Sequence, residues 1–308
     1  MSRKVKNEVK INGKLFSFGR FGLAKDDEGR IRGSIMVLTD EDTENTIEVG
    51  FIPQSPTYKS GKENTTYKLL EKIINEEPTI EKVGKDKAMD LRIDARMVPN
   101  IFYMSEKPGS DVLRCVESYQ VQASFIHEDN RVKPRADFSI DCLFFGIEDK
   151  LTRDCEPSGN KVVKVGIIDD YRDSILHLKM ELRDPDGIAF MESAYFTPQE
   201  TILSLDGEVI NGIVTREEKV ETGFGTPKIN TKEVNEKTIL ITSAGFPYEN
   251  FVTEEELKGY EDNRKKQMAE AESRARDRLA SKKATPAAFG AATSASVTVN
   301  KTKTNFDF

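Results

Sequence analysis

The sequence predicts a mainly β protein with one short internal helix, a charged C-terminal helix and a disordered tail. Apolar residues alternate with polar ones along most of residues 1–250, which is typical of strands that pack one face into a core. Helical spacing is confined to two segments. Residues 284–308 are rich in Ala, Thr, Ser and Asn and contain no core-forming pattern, which predicts disorder.

Charge divides the chain unevenly. The 308 residues carry a net charge of −7, with a balance of +1 over residues 1–135, −10 over 136–252 and +2 over 253–308. A chain of this length has room for two domains. We therefore predict a basic-leading domain at 1–135, an acidic domain at 136–252, a charged helix at 253–283 and a disordered tail at 284–308.

Composition indicates a cytoplasmic protein. The basic N-terminal segment lacks the apolar stretch of a signal peptide, and no apolar run approaches the ~20 residues of a membrane span. Cys115, Cys142 and Cys155 are widely spaced and odd in number, which favours reduced thiols. His127 and His177 lie far apart along the chain, so we expect no metal site and no cofactor.

The alternation of apolar and polar residues predicts where the strands lie, and turn residues separate them. From Val112 to Phe125 the pattern predicts one buried face, formed by Tyr119, Val121, Ala123 and Phe125. Residues 176–182 and 188–195 also alternate, and Asp184-Pro185-Asp186-Gly187 between them predicts a hairpin turn.

Two segments predict helices. Residues 67–75 carry apolar side chains at helical spacing after Thr65 or Thr66 as a cap. The helix from Thr253 to about Lys283 opens with a capping box formed by Thr253 and Glu256. From Gln267 onward it has little apolar face, which favours a solvated extension over a helix that needs a partner.

A short internal echo raises the question of duplication. Residues 51–54 (Phe-Ile-Pro-Gln) and 196–199 (Phe-Thr-Pro-Gln) each follow two alternating segments. The echo is either the trace of two similar β units, divided near residues 130–135, or a coincidence of four residues.

Aromatic and basic residues intermingle near the N-terminus, as in proteins that stack bases on rings and hold phosphates with cations. The candidate binding residues in this region are Lys14, Phe16, Phe18, Arg20, Phe21, Lys25, Arg30 and Arg32. A second candidate patch comprises Tyr58, Lys59, Arg92, Arg96 and Tyr103. The alternatives are that Phe16 and Phe18 belong to a strand's core face and that the second patch is an ordinary charged surface.

The layout resembles that of single-stranded DNA-binding proteins with OB-type β-barrels, particularly phage-encoded ones. The residues that carry the resemblance are the aromatic–basic run at 14–25 and the terminal Phe306-Asp307-Phe308, within two β units, a charged helix and a low-complexity tail. The resemblance implies two OB-like barrels, single-stranded DNA as partner, and replication or recombination proteins bound through the C-terminal helix and tail. The tail departs from the family pattern because it holds one acid, Asp307, and two lysines, Lys301 and Lys303.

The sequence also has features of two other classes of function. The balance of −10 over residues 136–252 would also suit a structural or interaction protein, such as a virion component or an acidic decoy of a DNA-binding partner. Asp137 or Asp141 with Glu148 and Lys150 has the residue types of a metal-dependent nuclease. We expect a binder without catalytic residues, because such triplets arise easily in a chain that is 32% charged.

Overall fold

The structure, a computed structural model, describes residues 5–107, 110–131, 133–152, 155–169, 172–220, 228–248 and 252–284. Within these residues ten strands form one continuous sheet, so the predicted mainly β class is confirmed. The strands are β1 (Asn7–Lys25), β2 (Ile31–Asp40), β3 (Asn45–Gln54), β4 (Asp90–Ser105), β5 (Leu113–Glu128), β6 (Arg135–Leu151), β7 (Pro157–Asp169), β8 (Ser174–Leu182), β9 (Ile202–Val220) and β10 (Lys228–Ala244).

Helices take up a small part of the described chain. They are α1 (Thr65–Glu76), α2 (Ile80–Val83), α3 (Pro185–Met191) and α4 (Glu254–Ala284), with one 3₁₀ turn at Lys85–Lys87. No helix in the described ranges is long and apolar enough to cross a membrane. Apart from Ala284, which ends α4, the predicted disordered tail, with Phe306, Asp307 and Phe308, lies outside the described residues.

The first five strands close into a ring. β1 pairs antiparallel with β2 and β4, β2 with β3, and β4 with β5, while β3 and β5 pair in parallel. α1 lies between the third and fourth strands of this Greek-key order, which is that of an OB-type barrel. The interior is filled by aliphatic side chains without exposed surface, among them Ile11, Leu15, Ile35, Val49 and Ile93.

The last five strands repeat the same circuit. β6 pairs antiparallel with β7 and β9, β7 with β8, and β9 with β10, while β8 and β10 pair in parallel. α3 takes the place that α1 has in the first ring. We call these two rings the first and second barrel. The division of the chain into domains at residues 135 and 136 stays a prediction.

Backbone pairing joins the two barrels. β1 and β6 pair antiparallel, residues 7–12 against 135–140. Beside this ladder the buried carboxylate of Asp141 accepts hydrogen bonds from the Lys6 N–H at 3.0 Å and the Ser204 hydroxyl at 2.6 Å. At the other side Asn45, in the first barrel, donates to the Val209 carbonyl at 3.1 Å and accepts from the Asn211 N–H at 2.6 Å. The junction is therefore fixed by main-chain contacts and buried polar side chains.

The predicted hairpin at residues 184–187 and the predicted strand at 188–195 are wrong. Asp184 caps α3, because its side chain accepts a hydrogen bond from the Gly187 N–H at 2.6 Å. Pro185 then occupies the first helical position, where its missing N–H costs nothing. The same Asp-Pro-Asp-Gly composition suits a turn and a helix start, and the capping geometry decided between them.

The two echo segments do not occupy equivalent places. Residues 51–54 end strand β3, whereas residues 196–199 lie between α3 and β9. The repeat in this chain is one of strand order, and the four-residue match does not mark it.

Phe125 does not share the buried face of its strand as predicted. Its side chain is 56% exposed, while Ala123 and Ile126 on either side are buried. The register against β4 shifts between Asp94 and Ala95, so that Ser124 is an extra residue on β5. Such a bulge reverses the alternation beyond it.

Capping hydrogen bonds mark the first residues of α1 and α4. The side chain of Asn64, rather than of Thr65 or Thr66, caps α1 by accepting from the Tyr67 N–H at 3.3 Å. At α4 the predicted capping box is confirmed. The Thr253 N–H donates to Glu256 at 2.9 Å and the Glu256 N–H donates to the Thr253 hydroxyl at 3.2 Å.

Helix α4 packs on both barrels. Leu257 and Tyr260 contact a buried cluster that includes Ile168. Arg264 donates to Glu117 of β5 through Nε and Nη2, both at 2.6 Å, and Ala271 is buried. The prediction of a solvated extension after Gln267 is therefore wrong at Ala271.

Candidate nucleic-acid interface

The outer surface of β1, β2 and β3 in the first barrel holds the open part of the predicted site. We call it the β1–β2–β3 face and define it by Phe16, Arg20, Arg32, Met36, Glu48 and Ile52. It lies opposite the barrel core, because Ile35 and Val37 on β2 point inward and are fully buried. Met36 pairs with Ser17 on one side and Glu48 on the other, which places the three strands side by side.

Phe16 occupies an irregular position on this face. The pairing of β1 with β2 shifts between Leu15 and Ser17, so Phe16 is the extra residue of a bulge. Phe16 is half-buried, and Ile52 on β3 is 46% exposed. Because Leu15 before it points into the core, alternation places the Phe16 ring on the outer side of β1.

A single carboxylate ties the three strands together. Glu48 Oε1 accepts from the Ser34 hydroxyl at 2.7 Å and from the Arg20 N–H at 3.1 Å. Gly19 is required beside it, since a Cβ there would lie 2.0 Å from the Ser34 Oγ. These contacts fix the backbone from which the Arg20 side chain projects.

Two of the predicted cations are available on this face. Arg20 and Arg32 are exposed, and neither forms an ion pair with any residue in the described ranges. Guanidinium groups without a carboxylate partner can pair with phosphates without first breaking a contact.

Four other predicted cations are paired within the first barrel. Lys14 lies 3.0 Å from Asp90, Lys25 lies 2.6 Å from Glu71, and Arg92 lies 3.4 Å from Asp129. Arg30 pairs with Asp26 at 3.0 Å and Glu28 at 2.9 Å. The hydrogen bond to Glu71 raises the pKa of Lys25. Ion pairs at the protein surface contribute little to stability, so these pairs weaken the four cations as phosphate ligands without excluding them.

The remaining predicted residues are not brought together. Phe18 is half-buried and packs against the core, which agrees with the core alternative. The backbone of Phe21 lies in β1, but its side chain lies outside the described residues. Tyr58 and Lys59 are exposed in the turn closed by the Thr57–Glu63 bridge. Arg96 donates to Gln122 on the β4–β5 side.

Tyr103 belongs to a hairpin that extends β4 and β5 beyond the barrel. Partial burial and a hydrogen bond with Cys115 raise the pKa of Tyr103. The opposite face of this hairpin carries Phe102 and Met104, 40% and 52% exposed, which sequence reasoning missed. Residues 101–104 are apolar on both faces of the hairpin. Which face is exposed depends on where α4 packs, and the alternation of apolar and polar residues gives no information about that.

α4 covers part of the corresponding face of the second barrel. His177 Nε2 on β8 lies 2.6 Å from Glu261 Oε1, and Asn263 donates to the Asp173 carbonyl at 2.9 Å. α4 therefore covers the His177 end of this face, whereas Lys179 farther along β8 stays exposed.

The nuclease triplet is used for other contacts. Asp141 is buried at the barrel junction, Glu148 pairs with Lys164 and Lys179, and Lys150 pairs with Glu181. Among the described residues no three His, Cys, Asp or Glu side chains form a group that could hold a metal ion.

Comparison with known proteins assigns the chain to a family. The family model YorF matches residues 6–274. The chain belongs to the YorF family. No protein with a curated description matches it.

Two crystal structures of the single-stranded DNA-binding protein from Thermus aquaticus are similar in outline. The wild type is 12% identical, with a TM-score of 0.43 over 82% of this chain and 97% of that one. A deletion mutant of the same protein is 14% identical, with a TM-score of 0.43 over 82% of this chain and 100% of that one.

Proposed function

We propose that this YorF-family chain is a non-catalytic binder of single-stranded DNA that acts in replication or recombination in the cytoplasm, the host's cytoplasm if a phage encodes it. The observation that carries the proposal is the β1–β2–β3 face of an OB-type barrel, where two arginines that form no ion pair within the described ranges share the surface with the half-buried Phe16. In such barrels the second and third strands and the adjoining loops are the surface that takes oligonucleotides.

The proposed chemistry needs no catalytic group. Arg20 and Arg32 would neutralise backbone phosphates and release counterions, a contribution that is independent of base sequence. Phe16 would stack a base, which is worth about 1–3 kcal/mol and tolerates every base. Lys14 and Lys25 would bind phosphates only after breaking their ion pairs with Asp90 and Glu71. We also propose that α4 and the tail contact replication or recombination proteins.

A double variant tests this proposal. Arg20→Ala with Arg32→Ala removes two phosphate ligands, so the slope of log affinity against log salt should fall in magnitude by about 1.4, at ~0.7 per phosphate on a single strand. Affinity for oligo-dT, oligo-dA and oligo-dC should fall by a similar factor. Fluorescence anisotropy over a salt series measures both quantities.

The matched control is Lys68→Ala with Lys82→Ala. It removes the same net charge from α1 and α2, where both lysines are exposed and paired with Glu63 and Glu77. If the two double variants behave alike, or if the wild type shows no salt-dependent binding, the strand does not run over the β1–β2–β3 face.

The second candidate function is a protein-interaction role, as a virion component or an acidic decoy. The packing of α4 on β8 and the balance of −10 over residues 136–252 favour it. An absence of oligonucleotide binding by the wild type would leave this candidate in place.

A further inference from the structure

A cleft lies between the two barrels, apart from the β1–β2–β3 face. We call it the inter-barrel cleft. It has a volume of about 700 Å³, within the range of ligand pockets. The first barrel contributes Tyr119 and its neighbours on β5, and the second barrel contributes residues of β6, β7, β8 and β10.

The cleft opens because two strands of the second barrel diverge. β8 and β10 pair in parallel at only two positions, Glu181 with Leu240 and Leu182 with Ile241. Beyond these pairs the cleft reaches apolar side chains of the barrel core, Val165, Leu178 and Ile239. The inner part of the cleft is therefore apolar.

Aromatic rings border this apolar part. The rings of Phe145 and His177 lie 4.7 Å apart between centroids at an interplanar angle of 42°. Glu261 of α4 holds His177 in place at 2.6 Å. Tyr119 lies across from them on β5, and burial raises its pKa to about 12. Flat, rigid walls of this kind suit a planar ring.

The rim is cationic. Lys164, Lys179 and Lys237 line the cleft. One carboxylate, Glu148, serves the first two, at 2.5 Å from Lys164 and 3.0 Å from Lys179, and these two hydrogen bonds lower the pKa of Glu148. Lys237 is exposed and forms no ion pair with the residues that the structure describes. Glu117 also lines the cleft, but Arg264 pairs with it at 2.6 Å, so the three lysines keep a net positive charge for an anionic group.

We propose that the inter-barrel cleft binds a nucleotide, with the base between the aromatic walls and the phosphate at Lys179 and Lys237. An apolar interior, planar walls and a cationic rim match a ligand that combines a flat ring with a phosphate. A fatty-acid anion would match the interior and one charge but would make no use of the rings. The proposal does not depend on strand binding by the first barrel, because the nucleotide is either free or part of a strand.

Calorimetry on the full chain tests the cleft with three probes, namely thymidine monophosphate, oligo-dT of increasing length, and laurate. The test variant is Lys237→Ala, whose melting temperature should not change because the side chain is exposed. The control is Lys265→Ala, an exposed lysine of α4 that pairs with Asp262 at 3.2 Å. We expect Lys237→Ala to weaken nucleotide binding at least about tenfold and Lys265→Ala to leave it unchanged.

The probes separate the sources of the nucleotide. Loss of thymidine monophosphate binding indicates a free nucleotide, and loss confined to longer oligo-dT indicates a nucleotide within a strand. Arg20→Ala with Arg32→Ala should leave thymidine monophosphate binding intact, so a failure of the proposed function is seen separately. The proposal is overturned if Lys237→Ala changes no nucleotide affinity, or if laurate alone binds in a manner that depends on Lys237.

Discussion

The buried carboxylate of Glu181 should make the stability of the second barrel depend on pH. Its side chain is 2% exposed and accepts hydrogen bonds from Arg183 Nε and Asn160 Nδ2, both at 2.9 Å, and from Lys150. Burial by itself would raise the pKa of Glu181. The hydrogen bonds and charges of Arg183 and Lys150 outweigh burial and lower the pKa to about 2.

The sign and size of the effect follow from linkage. Since the folded pKa lies below the ordinary value of 4.5, ionised Glu181 stabilises the folded state above about pH 5 and loses that contribution as the pH falls towards 2. A gap of about 2.5 pH units corresponds to roughly 3 kcal/mol. Glu181→Gln should therefore lower the free energy of unfolding by about 3 kcal/mol at pH 7 and by little near pH 2.

Urea unfolding of the wild type and Glu181→Gln at several pH values measures this difference. Glu63→Gln is the control, because Glu63 is exposed and pairs with Lys68 at the surface. A Glu181→Gln effect of the same size at pH 7 and near pH 2 would refute the reasoning, since the loss would then come from packing and not from the ionised carboxylate.

Three further predictions concern stability and are measured by urea unfolding. Arg264→Ala should lower the free energy of unfolding by about 2 kcal/mol, a value between those of surface and buried ion pairs, because it leaves the half-buried Glu117 without its partner. A change below about 0.5 kcal/mol would show that this pair does not hold α4. Gly33→Ala should cost more than about 1 kcal/mol, since φ is +131° and a Cβ would lie 2.0 Å from the Gly22 carbonyl oxygen; a neutral result would contradict this approach of β1 and β2. Thr253→Ala should cost about 1 kcal/mol through loss of the cap, and an unchanged protein would mean that the start of α4 adds no stability.

Local pattern was enough to predict the strands and α4. Period-two alternation reports which residues face a core, and the capping box at Thr253 reports a helix start by hydrogen bonds within four residues. Prediction from local pattern failed where the exposure of a residue depended on tertiary contacts. The bulge that exposes Phe125 depends on β4, and the burial of Ala271 depends on surfaces that α4 meets only in the folded chain.

The sequence predicted the residue types of the candidate site. It did not predict which of its cations are free of carboxylate partners among the described residues. Arg20 and Arg32 lie on an open face as the basic run suggested. Lys14 and Lys25 come from the same run, but their partners Asp90 and Glu71 lie on β4 and α1, and alternation along β1 contains no information about them. The inter-barrel cleft was missed for the same reason, because its aromatic and basic residues come from five different strands.

Photo-cross-linking tests most directly whether single-stranded DNA runs over the β1–β2–β3 face. Oligo-dT carrying photoreactive thymidine analogues would be irradiated with the full chain, and the cross-linked peptides mapped by mass spectrometry. We predict cross-links in the segments that contain Phe16, Met36 and Ile52, and their loss in Arg20→Ala with Arg32→Ala. Cross-links that avoid these three strands, or that persist unchanged in the double variant, would contradict the account.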